Sequence, residues 1–117
     1  MREAEFKFKI HKRLQQGRVL IYNPYDMKLR LTIKVFYEGT SKDAPWVSYN
    51  PELNVASCGP TEKKARENLR EAIEIVLEGA KQDGNLRELL RESGFEIEEG
   101  KVRPPKILVE EFAFPAI

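Results

Sequence analysis

The pattern of apolar and polar positions divides this chain into two kinds of element. From Leu29 to Glu38 the residues alternate, with Leu29, Leu31, Ile33, Val35 and Tyr37 on one side and Arg30, Thr32, Lys34, Phe36 and Glu38 on the other, which predicts a strand. Gly39 to Ala44 is a polar turn, and Pro45 to Asn50 and Asn54 to Cys58 are predicted strands joined through Pro51-Glu52-Leu53, giving an antiparallel meander. The period then changes. Ala65, Leu69, Ala72, Ile73, Val76, Leu77 and Ala80 fall three and four residues apart, so Glu62 to Gln82 is predicted to be a helix with one apolar stripe and a charged opposite face. Gly59-Pro60-Thr61 breaks the preceding strand, the Thr61 hydroxyl is placed to cap the first turn, and Asp83-Gly84 supplies a stop.

Beyond the stop, Leu86 to Glu92 carries Leu86, Leu89 and Leu90 on one side and ends before Gly94, predicting a second, short helix after which Phe95 returns to the core. Pro104-Pro105 forces an extended entry into an expected last strand, Lys106 to Phe114, with Ile107, Val109, Phe112 and Phe114 apolar and a bulge where the alternation slips at Glu110-Glu111. At the other end Phe6, Phe8 and Ile10 alternate with Lys7, Lys9 and His11, and Arg18 to Tyr22 follows the turn-like Gln15-Gln16-Gly17, which predicts an N-terminal hairpin that lengthens the sheet or reaches another subunit. The expectation is one α+β domain over 1–117. It comprises a hairpin extension at 1–27 and a core at 28–114, in which one long and one short helix pack on one face of an antiparallel sheet of three to four strands.

Composition narrows the functional classes. At 117 residues the chain can bury a core without staples, and its 33% charged residues leave a net charge of only +1. A polyanion binder gathers a basic excess, whereas here Glu and Lys/Arg interleave, with Glu62–Arg66 and Arg70–Glu74 as expected surface pairs. Dense mixed charge is also a habit of thermophilic proteins. No apolar run is long enough to span a bilayer, the first residues lack a secretion signal's apolar core, and a single Cys58 suits a reducing compartment, so the expected location is the cytoplasm.

Candidate chemistry is sparse. His11 is the only histidine and has no partner in sequence for a metal or general-base site, so a strand-surface role is expected. Cys58 lies near the helix entry without an evident base, which favours a packed structural thiol over a nucleophile. Asp26, Asp43 and Asp83 fall in turns, not at strand centres where two-metal nuclease chemistry would gather carboxylates. No catalytic, metal or cofactor site is therefore expected. If Leu31, Ile33 and Val35 face the helices, Phe36 and Lys34 take the opposite sheet face and Trp46 is a candidate to join them. These three are the candidate partner contacts, with burial under the N-terminal hairpin as the alternative for the aromatics.

The run Pro51-Glu52-Leu53-Asn54-Val55-Ala56-Ser57-Cys58-Gly59-Pro60-Thr61, followed by Ala65-Arg66-Glu67-Asn68-Leu69-Arg70-Glu71-Ala72, resembles the core signature of the HicB-like antitoxin family: P-[DE]-L, a short strand, G-x-T, then a helix with A-x-x-N-L-x-E-A. The resemblance extends from Lys28 to Phe114 and is to short, single-domain members. Pro60 and Lys64 stand where the family often has an acidic residue and a capping-box glutamate, so the reciprocal cap is lost while the Thr61 bond can remain. Nothing after Gly100 has room for the appended DNA-binding segment of other members, so direct DNA binding is not expected, and 1–27 falls outside the family pattern. The resemblance implies a non-enzymatic domain, related to double-stranded-RNA-binding folds, that binds and neutralises a HicA-like RNA-cleaving toxin. Contact is expected through sheet edges or the open face, with self-association into a dimer or tetramer. The alternative is a small RNA-binding module using Lys28, Arg30 and Lys34; a metal-dependent nuclease would need carboxylates meeting in a pocket.

Overall fold

The computed structural model describes residues 28–98 and 101–116. Three antiparallel strands form one sheet in the order β1-β2-β3: β1 (Lys34–Tyr37), β2 (Trp46–Asn50) and β3 (Val55–Gly59). Helix α1 (Glu62–Gln82) follows, then α2 (Leu86–Glu92) and a separate two-stranded hairpin, β4 (Glu96–Glu98) with β5 (Lys101–Arg103). The architecture is α+β, as the change of period from two to 3.6 implies. The predicted N-terminal hairpin and His11 lie outside the described residues.

The meander forms where predicted, and its register sorts the side chains. Lys34 pairs with Tyr49, Val35 with Ser48, Phe36 with Val47 and Tyr37 with Trp46, while Ser48 pairs with Ser57 and Val47 with Cys58. Directly opposed residues share a face. Val35, Ser48 and Ser57 therefore lie on the side that α1 covers, with Tyr37, Trp46 and Gly59 in the next row along. Phe36, Val47, Cys58, Lys34, Tyr49 and Ala56 lie on the other side.

The expected strand over Leu29–Glu38 pairs only from Lys34 to Tyr37. The reason is the length of its neighbour: β2 ends at Asn50, the partner of Val55, and Pro51 turns the chain away, so residues before Lys34 have no ladder to join. Side chains stand in for the ladder. The Thr32 amide donates to Glu52 Oε1 at 2.8 Å, and the Thr32 carbonyl accepts from Asn50 Nδ2 at 2.8 Å. Asn50 is fully buried and its Oδ1 also accepts from the Leu53 amide at 2.8 Å, which ties the turn Pro51–Asn54 so that Leu53 points inward.

The core lies between the sheet and α1. Leu53, Leu69 and Ile73 form its centre, with Leu31, Val55, Leu77 and Leu89 packed against them, so the α1 stripe faces inward as its spacing predicts and α2 joins the same core through Leu89. Full burial of one such side chain, as at Leu69, stabilises the fold by about 1.5–3 kcal/mol, and the partly buried ones contribute less. Thr61 caps α1 by accepting from the Lys64 amide at 3.0 Å. Both helices end in a Schellman arrangement, with Asn85 donating to Ala80 at 2.9 Å and Phe95 to Leu90 at 3.0 Å. The second of these requires Gly94, at φ 98°, and returns the chain so that Phe95, like Leu90, is buried.

Two expectations are corrected. The segment Lys106–Phe114 is not a strand; every residue from Lys106 to Phe114 is exposed and without regular structure. Apolar alternation confers strand form only where a neighbouring strand offers backbone partners, and among the described residues none stands beside this segment. The short β4–β5 hairpin takes its place, with Arg103 of β5 reaching Glu96 and Glu98 of β4 at 3.8 and 3.4 Å. On α1 Lys64 pairs with Glu67 at 3.9 Å, and the expected pairs Glu62–Arg66 and Arg70–Glu74 are not among the ion pairs of the described residues. All three pairs are exposed and contribute little.

Candidate partner-binding surface

With α1 on one side of the sheet, the other side is left to Lys34, Phe36, Val47, Tyr49, Ala56 and Cys58. Strand alternation alone puts them there: each sits one residue out of step with the row that Ser48 and Val35 bury. Phe36 is 46% exposed at the centre of the β1 half, Lys34 is exposed beside it, and Val47 and Tyr49 are half-buried. The Tyr49 hydroxyl donates to Asn54 Oδ1 at 2.9 Å, fixing that ring at the rim. Asn54 itself holds a left-handed backbone at φ 57°. The surface is thus an aromatic and aliphatic patch with a cation at one end, lying on a rigid sheet.

Of the three candidate contacts, the structure brings Lys34 and Phe36 together and separates Trp46 from them. Trp46 pairs with Tyr37 and lies on the α1 side, where the two rings meet edge to face at 5.4 Å and 76°. Cys58 is exposed on the open face opposite Val47, so the expected packed thiol is overturned: the strand parity that turns Ser57 toward α1 turns Cys58 outward.

The signature residues serve the scaffold. Glu52 accepts from the Thr32 amide and, at 2.6 Å, from the Thr32 hydroxyl, as well as from Asn50 Nδ2 at 2.7 Å. Partial burial acts to raise its carboxyl. The bonds from the Thr32 side chain, the Thr32 amide, its own amide and the Asn50 side chain outweigh this and hold it below its ordinary value. Asn68 Nδ2 donates to the Cys58 carbonyl at 2.8 Å, joining α1 to β3. Sequence reasoning assigned neither Glu52 nor Asn68 a contact. The polar spacing N-P-E-L, where a glutamate stands two residues after a strand-ending asparagine, was the available signal for the Thr32 clasp.

Gly59 fixes how close the helix comes. A Cβ built there would lie 2.8 Å from the Ala65 nitrogen and 3.0 Å from the Lys64 carbonyl carbon, so only glycine admits α1 at this distance.

Between α1 and α2 a surface depression is lined by Ile75, Val76, Ala80 and Leu89, with Asp83 and Glu88 on its rim. Among the described residues no group of three or more His, Cys, Asp or Glu side chains could hold a metal ion, and no helix is long and apolar enough to cross a membrane. No family model, curated protein or solved structure matches the chain.

Proposed function

We propose that this chain is a non-catalytic protein-binding domain of HicB-like type, an antitoxin that binds a small RNA-cleaving toxin of the HicA kind and covers its working surface. The observation that carries the reading is the division of labour within the sheet: α1 seals one face, while the other offers Phe36 and Lys34 side by side on a rigid strand. An aromatic anchor rimmed by polar groups suits a protein contact, because it contributes buried area at little conformational cost. Glu52, Thr61 and Asn68 of the P-E-L, G-P-T and N-L motifs are engaged in holding turn, cap and helix together, which fits a signature that specifies a binding scaffold.

Co-expression with the product of the adjacent reading frame, followed by affinity capture, tests this. A short basic partner should be retained by the wild-type chain and lost with Phe36→Asp. Failure to recover any such partner, together with unchanged growth on toxin expression, would sink the assignment.

A second reading is favoured by the exposed cations Lys28, Arg30 and Lys34 in one extended run before Phe36. In that case the chain binds RNA through phosphate contacts and base stacking, and its affinity for a short RNA duplex or loop falls steeply as salt rises.

A further inference from the structure

Among the described residues the largest apolar feature left without a partner is the C-terminal segment. Ile107, Leu108, Val109, Phe112 and Phe114 are 51%, 67%, 93%, 85% and 80% exposed, a density of bare apolar side chains that a monomeric protein rarely presents to water. Pro104-Pro105 precedes them and stiffens the exit from β5, with the Pro105 ring set against Gly94. The sequence alternates as a strand does before and after Glu110-Glu111, yet the segment forms none.

The same chain carries an acceptor. In the three-stranded sheet β1 is an edge strand, and among the described residues nothing pairs with its outer side. Phe36 and Tyr37 along it are 46% and 63% exposed, and Ile33 just before it is 37% exposed. A donor that lacks an edge and an edge that lacks a donor, both present on one chain, are self-complementary, and two copies related by a twofold axis satisfy both at once.

We propose that Lys106–Phe114 is an exchange arm that adds to the β1 edge of a second copy of this chain, building a reciprocal dimer. The area agrees with what a stable dimer needs. Two aromatic rings exposed to this degree present about 300 Å² per chain. Two reciprocal arms, with the surface they cover, then bury about 1,200 Å² from those rings alone, the lower bound of a specific interface before the aliphatic residues are added. Main-chain bonds along the arm supply affinity, and the side chains of Phe112 and Phe114, two residues apart and so on one face of an added strand, supply register.

Sedimentation equilibrium of the full chain, with backbone hydrogen exchange read by peptide, decides the matter. The wild-type chain should sediment as a dimer, and Phe112→Asp combined with Phe114→Asp should convert it to a monomer. These residues are exposed within one chain, so the variant should still fold. Amides in both Lys106–Phe114 and Lys34–Tyr37 should be protected in the wild type and should lose protection together in the variant. A monomeric wild type, in which the arm folds against its own chain or waits for another protein, overturns the proposal. So does a dimer that persists in the double variant, or one whose β1 amides exchange at the same rate in both.

Discussion

The Ser48 hydroxyl donates to the main-chain carbonyl of Ala65 at 2.7 Å, and both residues are wholly buried. This one bond fixes α1 to the central strand of the sheet. The carbonyl already belongs to the helix ladder, so Ser48 adds a second donor to it, and the hydroxyl lies 3.4 Å from the Ser57 carbonyl on the neighbouring strand. Ser48→Ala removes the donor without orphaning the carbonyl. The expected loss is about 0.5–1.5 kcal/mol, measured by urea unfolding with an unchanged slope.

Gly59 sets the same contact from the other end of β3. Gly59→Ala pushes a methyl group into the backbone at Ala65 and Lys64, where no side-chain rotation relieves it. The expected cost is about 1–3 kcal/mol, and pairing the change with Ser48→Ala should give a combined loss that departs from the sum, since both act on one helix–sheet distance. Additivity within about 0.3 kcal/mol in a double-mutant cycle would contradict this coupling.

Glu52 makes the stability depend on pH in a defined direction. Its folded-state carboxyl is held below the ordinary value of 4.5, so the unfolded chain takes up its proton first as pH falls. The stabilisation is complete above pH 4.5 and is lost as pH drops through the folded value. Glu52→Gln cannot accept from Thr32 with its amide nitrogen and should cost about 1–3 kcal/mol at neutral pH. The difference between wild type and variant should shrink steadily as unfolding is measured at pH values below 4.5, and a difference that stays constant there would show that the carboxylate charge is irrelevant to the clasp.

Much of this architecture is legible in the residues, and the exceptions have physical causes. The stripe from Ala65 to Leu77 and the Thr61 cap are local in origin, since periodicity and a hydroxyl three residues from an amide need no distant partner. Strand ends are different. Leu29–Ile33 continues the alternation of β1, and Lys106–Phe114 alternates on either side of its slip at Glu110-Glu111, but strand form depends on the neighbour, and neither has a ladder partner among the described residues. Trp46 illustrates the same limit for the candidate surface: its face is set by pairing with Tyr37, a register that composition cannot reveal. The β4–β5 hairpin, with only Ile97 and Val102 as its half-buried pair, is too short for alternation to announce.

Phe36 and Trp46 should part company under substitution. Phe36 stands on the open face, so Phe36→Asp should leave thermal stability within about 0.5 kcal/mol of wild type while abolishing capture of the proposed partner. Trp46 packs edge to face on Tyr37 on the α1 side, so Trp46→Ala should cost about 1–3 kcal/mol and weaken capture only in proportion to the unfolded fraction. Calorimetry and capture measured on the same preparations separate the two roles. If Phe36→Asp destabilised the fold as much as Trp46→Ala, the open face would be a covered one, and the partner contact would have to be sought elsewhere on the sheet.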